Sequence, residues 1–180
     1  MIDCNKIIDD FCRENHLQIV FSTQMPQGYE SANGTFDIAK NTLFFNAQQL
    51  SSEPDYAAMF YLFHELRHAM QYTQPQLFSE AIRKSIDYVL MYDGTCFKMV
   101  QGNWMECKLE GTEAYLKDAY LGQPYEMDAN SFAYEEVQKR CGNSHELKEL
   151  YSFWTPEKRL SDAEYMELYK TIDQKIEGWA

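Results

Sequence analysis

Basic residues are scarce in this sequence: 16 Lys and Arg stand against 28 Asp and Glu, a formal charge of −12. Such a field repels phosphate, and no basic stripe interrupts it. Nucleic acid and anionic membrane surfaces are therefore poor partners. Glycine and proline are also few, 8 and 5 in 180 residues, while 45% of the residues are hydrophobic. Disorder and low complexity are excluded, and a substantial core is expected. The five cysteines (Cys4, Cys12, Cys96, Cys107, Cys141) are odd in number, scattered, and form no Cys-x-x-Cys pair. That usage suits reduced thiols. A basic start followed by an apolar run is lacking at the N-terminus, and the longest apolar-rich stretch, Tyr56 to Phe63, is too short to span a bilayer. A cytoplasmic, soluble protein is the expectation.

What is present reads as alternating helical and extended segments. Asp3 caps a helix over 3–15, and Leu17–Phe21 reads as a strand. Thr35–Ile38 and Thr42–Phe45 form a hairpin through Lys40-Asn41. Ser52-Glu53-Pro54-Asp55 starts a helix running to about Tyr72, apolar on almost every side, as befits the middle of a core. Pro75 opens another, to about Lys84. Between 86 and 109 the residues alternate around Asp93-Gly94, which favours a β-meander over a continued helix. Thr112 caps a helix ending near Gly122, and Pro124 opens one through about Arg140. Two more follow Ser144 and Ser161, the latter with Glu164 completing a capping box. The expected fold is α+β in a single domain over 1–180, with 144–180 as a C-terminal helical extension packed on it.

The core helix carries His64-Glu65-Leu66-Arg67-His68, an HExxH sequence. Residues i and i+4 leave one helix face about 6 Å apart, so two imidazoles can converge on one metal ion. Glu65 is turned about 100° around the helix, where it can reach a water at the metal rather than the metal itself. A catalytic zinc wants a third protein ligand and one open position. His16 ends the first helix and His145 belongs to a first helical turn, so a glutamate is the better choice. Glu80, Glu106, Glu110, Glu113 and Glu126 all lie downstream. Glu126 stands out. It falls in the first turn of a well-marked helix, with Ala129, Phe132, Ala133 and Val137 sharing much of its inward face. Asn130, one turn later, is placed to accept a hydrogen from a ligand imidazole and hold its tautomer. Asp128 turns away from that side and reads as solvated. Tyr72 and Tyr125 lie near ligands, yet core packing is the simpler account of each.

HExxH followed by Glu-x-x-Ala-Asn-x-Phe-Ala resembles the gluzincin-type zincin metallopeptidases, and is most similar to the ImmA/IrrE family. The likeness covers roughly 15–140, with its specific motifs at 64–68 and 126–133. It implies a zinc ion on His64, His68 and Glu126, with Glu65 as general base. It also implies that the strand before the active-site helix, Thr42–Phe45 or its neighbour, aligns a peptide by β-addition. Three features depart from the pattern: Arg67 before the second histidine, the long interval from His68 to Glu126, and no helix-turn-helix partner domain. The expected function is zinc-dependent hydrolysis of a peptide bond in a cytoplasmic protein or peptide. The competing reading is a non-catalytic zincin-like interaction or regulatory protein with a structural or inaccessible zinc. A structural ion would take a fourth protein ligand, such as Asp128 or Cys107. A third reading is a metal-free helical core protein.

Overall fold

The computed structural model describes residues 2–178. Its elements in chain order are α1 (Cys4–Glu14), β1 (Val20–Ser22), β2 (Gly34–Asp37), β3 (Thr42–Phe45), α2 (Ala47–Leu50) and α3 (Asp55–Thr73). There follow α4 (Glu80–Ser85), β4 (Tyr88–Leu90), β5 (Thr95–Val100), β6 (Asn103–Lys108), α5 (Glu113–Leu121), α6 (Pro124–Cys141), α7 (His145–Phe153) and α8 (Asp162–Glu177). The fold is α+β, with two three-stranded sheets among the described residues. Its contacts gather into two compact units: 1–77 with 128–153, and 78–127 with 154–180. The expected C-terminal extension is thus divided, α7 belonging to the first unit and α8 to the second.

In the first unit β3 is the central strand, flanked by β1 in parallel and β2 antiparallel. All four β3 residues are buried, and α3 packs against both β2 and β3. The sides of α3 away from the sheet are covered by α1 and α7. That explains a helix with Leu62, Phe63, Leu66 and Ala69 all at 0% exposure. Phe63 meets Phe11 of α1 and Phe132 of α6 at ring centroid distances of 6.2 and 6.5 Å, so the core helix is held by an aromatic cluster.

The second unit is built on the antiparallel meander β4-β5-β6, with α8 packed on β6. Gly94, at φ +83°, takes the turn between β4 and β5, a conformation that favours glycine. Asp93 beside it accepts from Thr95 and Lys108. These bonds, the Lys108 ammonium first among them, bring its carboxyl down to about 2. Tyr88 stacks on Tyr169 at 4.2 Å and donates its hydroxyl hydrogen to Asp173, which also pairs with Lys98 at 2.6 Å.

Several expectations are corrected. Leu17 does not enter a strand: His16 takes a left-handed turn (φ 54°), and the Leu17 N–H bonds back to the Cys12 carbonyl, closing α1. Ser52 does not cap α3. Asn46 caps the unforeseen α2, which draws Ser52 into the following turn, and Pro54 precedes α3 with no side-chain cap. The single helix expected over 75–84 is a 3-10 turn at Pro75–Leu77 followed by α4, restarted by the Ser79 cap. Thr42–Phe45 is paired on both edges, so it has no edge to offer a peptide; its neighbour β2 does.

Candidate metal centre

His64 and His68 leave α3 one turn apart. Their rings are perpendicular (89°) with centroids 4.4 Å apart, and the two Nε2 atoms are 2.9 Å apart. His64 is half-buried and His68 is buried.

The tautomer of His68 follows from its neighbours. Gln71, one turn further along α3 and 1% exposed, bridges His68 Nδ1 (2.8 Å) and the Asp128 carboxylate (2.8 Å). A carboxylate only accepts, so the Gln71 amide nitrogen faces Asp128 and its oxygen faces the imidazole. His68 then carries its hydrogen on Nδ1, and its Nε2 offers a lone pair towards His64. Two ring nitrogens can sit 2.9 Å apart only with a hydrogen or a cation between their lone pairs. Asp128 is held in turn by Arg67, Nε at 2.8 Å and Nη2 at 3.0 Å, in a two-pronged ion pair. The Arg67 guanidinium also lies 4.7 Å from the centroid of the Phe132 ring.

Glu126 occupies the first turn of α6, a helix that runs unbroken for 18 residues. Gln123, just before it, accepts from the Leu90 N–H and donates to the Tyr88 carbonyl, while the Tyr125 N–H bonds to Ser85 Oγ. His64, His68 and Glu126 each offer one ligand atom, all within 4.8 Å of one another, and these three could hold a metal ion. Bonds of about 2.0–2.1 Å in a tetrahedron set ligand atoms about 3.3 Å apart, so small side-chain adjustments suffice.

Neither fourth ligand considered for a structural ion joins this group. Asp128, rather than being solvated, is engaged by Arg67 and Gln71, and Cys107 belongs to the hydrophobic core of the second unit. There Cys107 stands opposite Cys96, whose thiol burial pushes up to about 12. Glu80, Glu106, Glu110 and Glu113 are exposed and lie outside the group. His145 is exposed as well, facing Glu149 at 3.3 Å. Asn130 is buried at 3% on α6, but the residue that bonds the His68 ring is Gln71. Tyr72 stacks on Phe36 of β2 at 6.2 Å, and Tyr125 is buried.

Glu65 is not among those three donors; it packs on the side of α3 turned to β2. A Cβ placed on Gly34 would come within 2.7 Å of Glu65 Cγ and 3.1 Å of the Phe44 carbonyl oxygen. The absence of a side chain at 34 thus makes room for Glu65. Asn46 fixes the approach to β2, its amide donating to the Glu30 and Ala32 carbonyls at 2.9 Å each. Gly34→Ala is expected to displace Glu65 and leave His64, His68 and Glu126 in place, which a structure of the variant checks.

Comparison with protein-family models, with curated proteins and with solved structures returns no match. Among the described residues no helix is long and apolar enough to cross a membrane.

Proposed function

We propose that this chain is a zinc-dependent peptidase of zincin type, hydrolysing a peptide bond in a cytoplasmic protein or peptide, with His64, His68 and Glu126 as the zinc ligands and Glu65 as general base. The observation that carries the reading is the three-donor group made by the two histidines of an HExxH helix and Glu126 of α6, with Glu65 next to the first histidine but not a member of the group. Two imidazoles and one carboxylate form a donor set suited to zinc, and a set of three leaves a tetrahedral position for water or substrate. Zinc bound there would act as a Lewis acid on the scissile carbonyl and make water acidic enough to lose a proton near neutral pH. Glu65 takes that proton on its carboxylate and delivers it to the leaving amine. His68 is held by Gln71 with its Nε2 lone pair directed at the site.

The strand β2 supports a mode of substrate binding. The Asn46 N–H bonds to the Asn33 carbonyl at 2.9 Å, and paired residues in an antiparallel ladder alternate between bonded and non-bonded. Thr35 and Asp37 therefore turn their backbone groups to β3, and Gly34 and Phe36 turn theirs to the outer edge. An extended peptide added along that edge would pass the Glu65 contact at Gly34.

The test is elemental analysis of protein purified without chelator, together with an assay on a mixture of unstructured peptides. About one zinc per chain is expected, with peptide cleavage abolished by a chelator and restored by zinc. Absence of zinc even after reconstitution would overturn the proposal.

A further inference from the structure

We propose that Gln71 is a positioning residue: together with the Arg67–Asp128 ion pair it sets the tautomer of His68, and with it the affinity of the site for zinc. The inference rests on the reading of His64, His68 and Glu126 as metal ligands, but its core claim concerns the imidazole and is testable without metal.

Three linked bonds transmit the orientation. Arg67 grips both oxygens of Asp128, Asp128 Oδ2 accepts from the Gln71 amide nitrogen at 2.8 Å, and Gln71 Oε1 accepts from His68 Nδ1 at 2.8 Å. Each bond fixes the polarity of the next. Arg67 supplies only donors, and a carboxylate supplies only acceptors. The amide between them has one orientation that satisfies both ends, and that orientation requires a hydrogen on His68 Nδ1. The inner half of the network is shielded from water, with Gln71 at 1% and His68 at 7% exposure, so a wrong amide or imidazole orientation would strand a buried polar atom there, while Arg67 and Asp128 keep about a fifth of their side chains exposed.

The same bonds place the two helices. Arg67 and Gln71 lie one turn apart on α3, and both hold Asp128, two residues after Glu126 on α6. Arg67, the departure before the second histidine, thereby gains a function of its own, since it anchors the acceptor that orients Gln71.

The experiment uses the full chain with zinc itself as the probe. Long-range proton–nitrogen spectra of the metal-free protein, with only four histidines to assign, report which ring nitrogen of His68 bears the hydrogen. Zinc affinity is measured by competition with a chromophoric chelator. In the wild type the Nδ1–H tautomer is expected. Gln71→Leu should shift His68 towards the Nε2–H form and weaken zinc binding by about 10- to 100-fold, the range typical of lost bonds to a ligand imidazole. Gln71→Glu alone sets a carboxylate against Asp128 and should weaken binding too. Combining it with Asp128→Asn removes the like-charge contact: the new amide at position 128 donates to the new carboxylate at position 71, which also accepts from His68 Nδ1, while the amide oxygen keeps the Arg67 Nη2 bond and the bond at Nε is given up. That double variant should hold the Nδ1–H tautomer and recover most of the affinity that Gln71→Glu loses.

A structural role alone would not reverse in the double variant. Should Gln71→Leu fail to fold, the wild-type tautomer and the Gln71→Glu/Asp128→Asn comparison still decide the matter. A wild-type tautomer and affinity in Gln71→Leu would overturn the role of Gln71 while leaving the zinc site standing. The predicted tautomer shift in a protein that binds no zinc would instead sustain the network and overturn the metal reading.

Discussion

Glu65→Gln should keep a full complement of zinc and lose hydrolysis by about 100- to 10,000-fold, the usual contribution of a positioned general base. The substitution preserves volume and removes only the ability to accept and pass on a proton. Its side chain is not one of the three donors that lie within 4.8 Å of one another, so the proposed ligand set is untouched. Its packing against Gly34 is also retained, because the contact there is made first by Cγ. Zinc per chain and turnover of any peptide the wild type cleaves are the two measurements. Unchanged turnover in the variant would remove Glu65 from the mechanism.

Glu126→Ala should have an equally large effect at a different step. Loss of one donor from a set of three leaves two imidazoles, and zinc affinity is expected to fall by more than the roughly 100-fold upper range for losing an outer hydrogen bond to a ligand. The fold should survive. Glu126 is only half-buried, in the first turn of α6, and that turn is fixed by backbone and amide bonds at Gln123 and Tyr125 that the substitution spares. The check is zinc content and competition affinity, with the thermal midpoint of the metal-free protein as control. Full retention of zinc would mean that the third ligand lies elsewhere.

The pair separates binding from chemistry. On the proposed reading Glu126→Ala should remove metal and therefore activity, whereas Glu65→Gln should remove activity alone. Gly34→Ala, which displaces Glu65 by steric pressure from β2, should resemble the latter in kind and be milder in degree.

Much of the local structure is legible in residue order. Caps and breakers act over three or four residues, so Asp3, Thr112 and Ser161 mark helix starts by hydrogen bonds within their own first turns. The Asp93-Gly94 turn announces the meander for the same reason, and HExxH at i, i+4 brings two imidazoles to one face. A different signal picks out Glu126, an acid in the first turn of a helix whose following face is apolar.

The partners of these residues are harder to read. Gln71 lies at i+3 from His68, a spacing that allows a bond to the ring. Nothing local announces that Asp128 belongs with Arg67 and Gln71, 61 and 57 residues away. A turn of α6 offers several polar side chains on neighbouring bearings, and a bearing error of one residue, about 100°, exchanges solvent for core. The order β1-β3-β2 is a long-range outcome of the same kind: it buries the strand that adjoins the helix in sequence and leaves β2 at the edge against Glu65. Residue order alone thus specifies most elements, many of their ends and the two histidines, because hydrogen bonds within a turn depend on spacing. Which carboxylates face the two histidines and which face an arginine is settled by packing, because those choices depend on contacts between residues far apart in the chain.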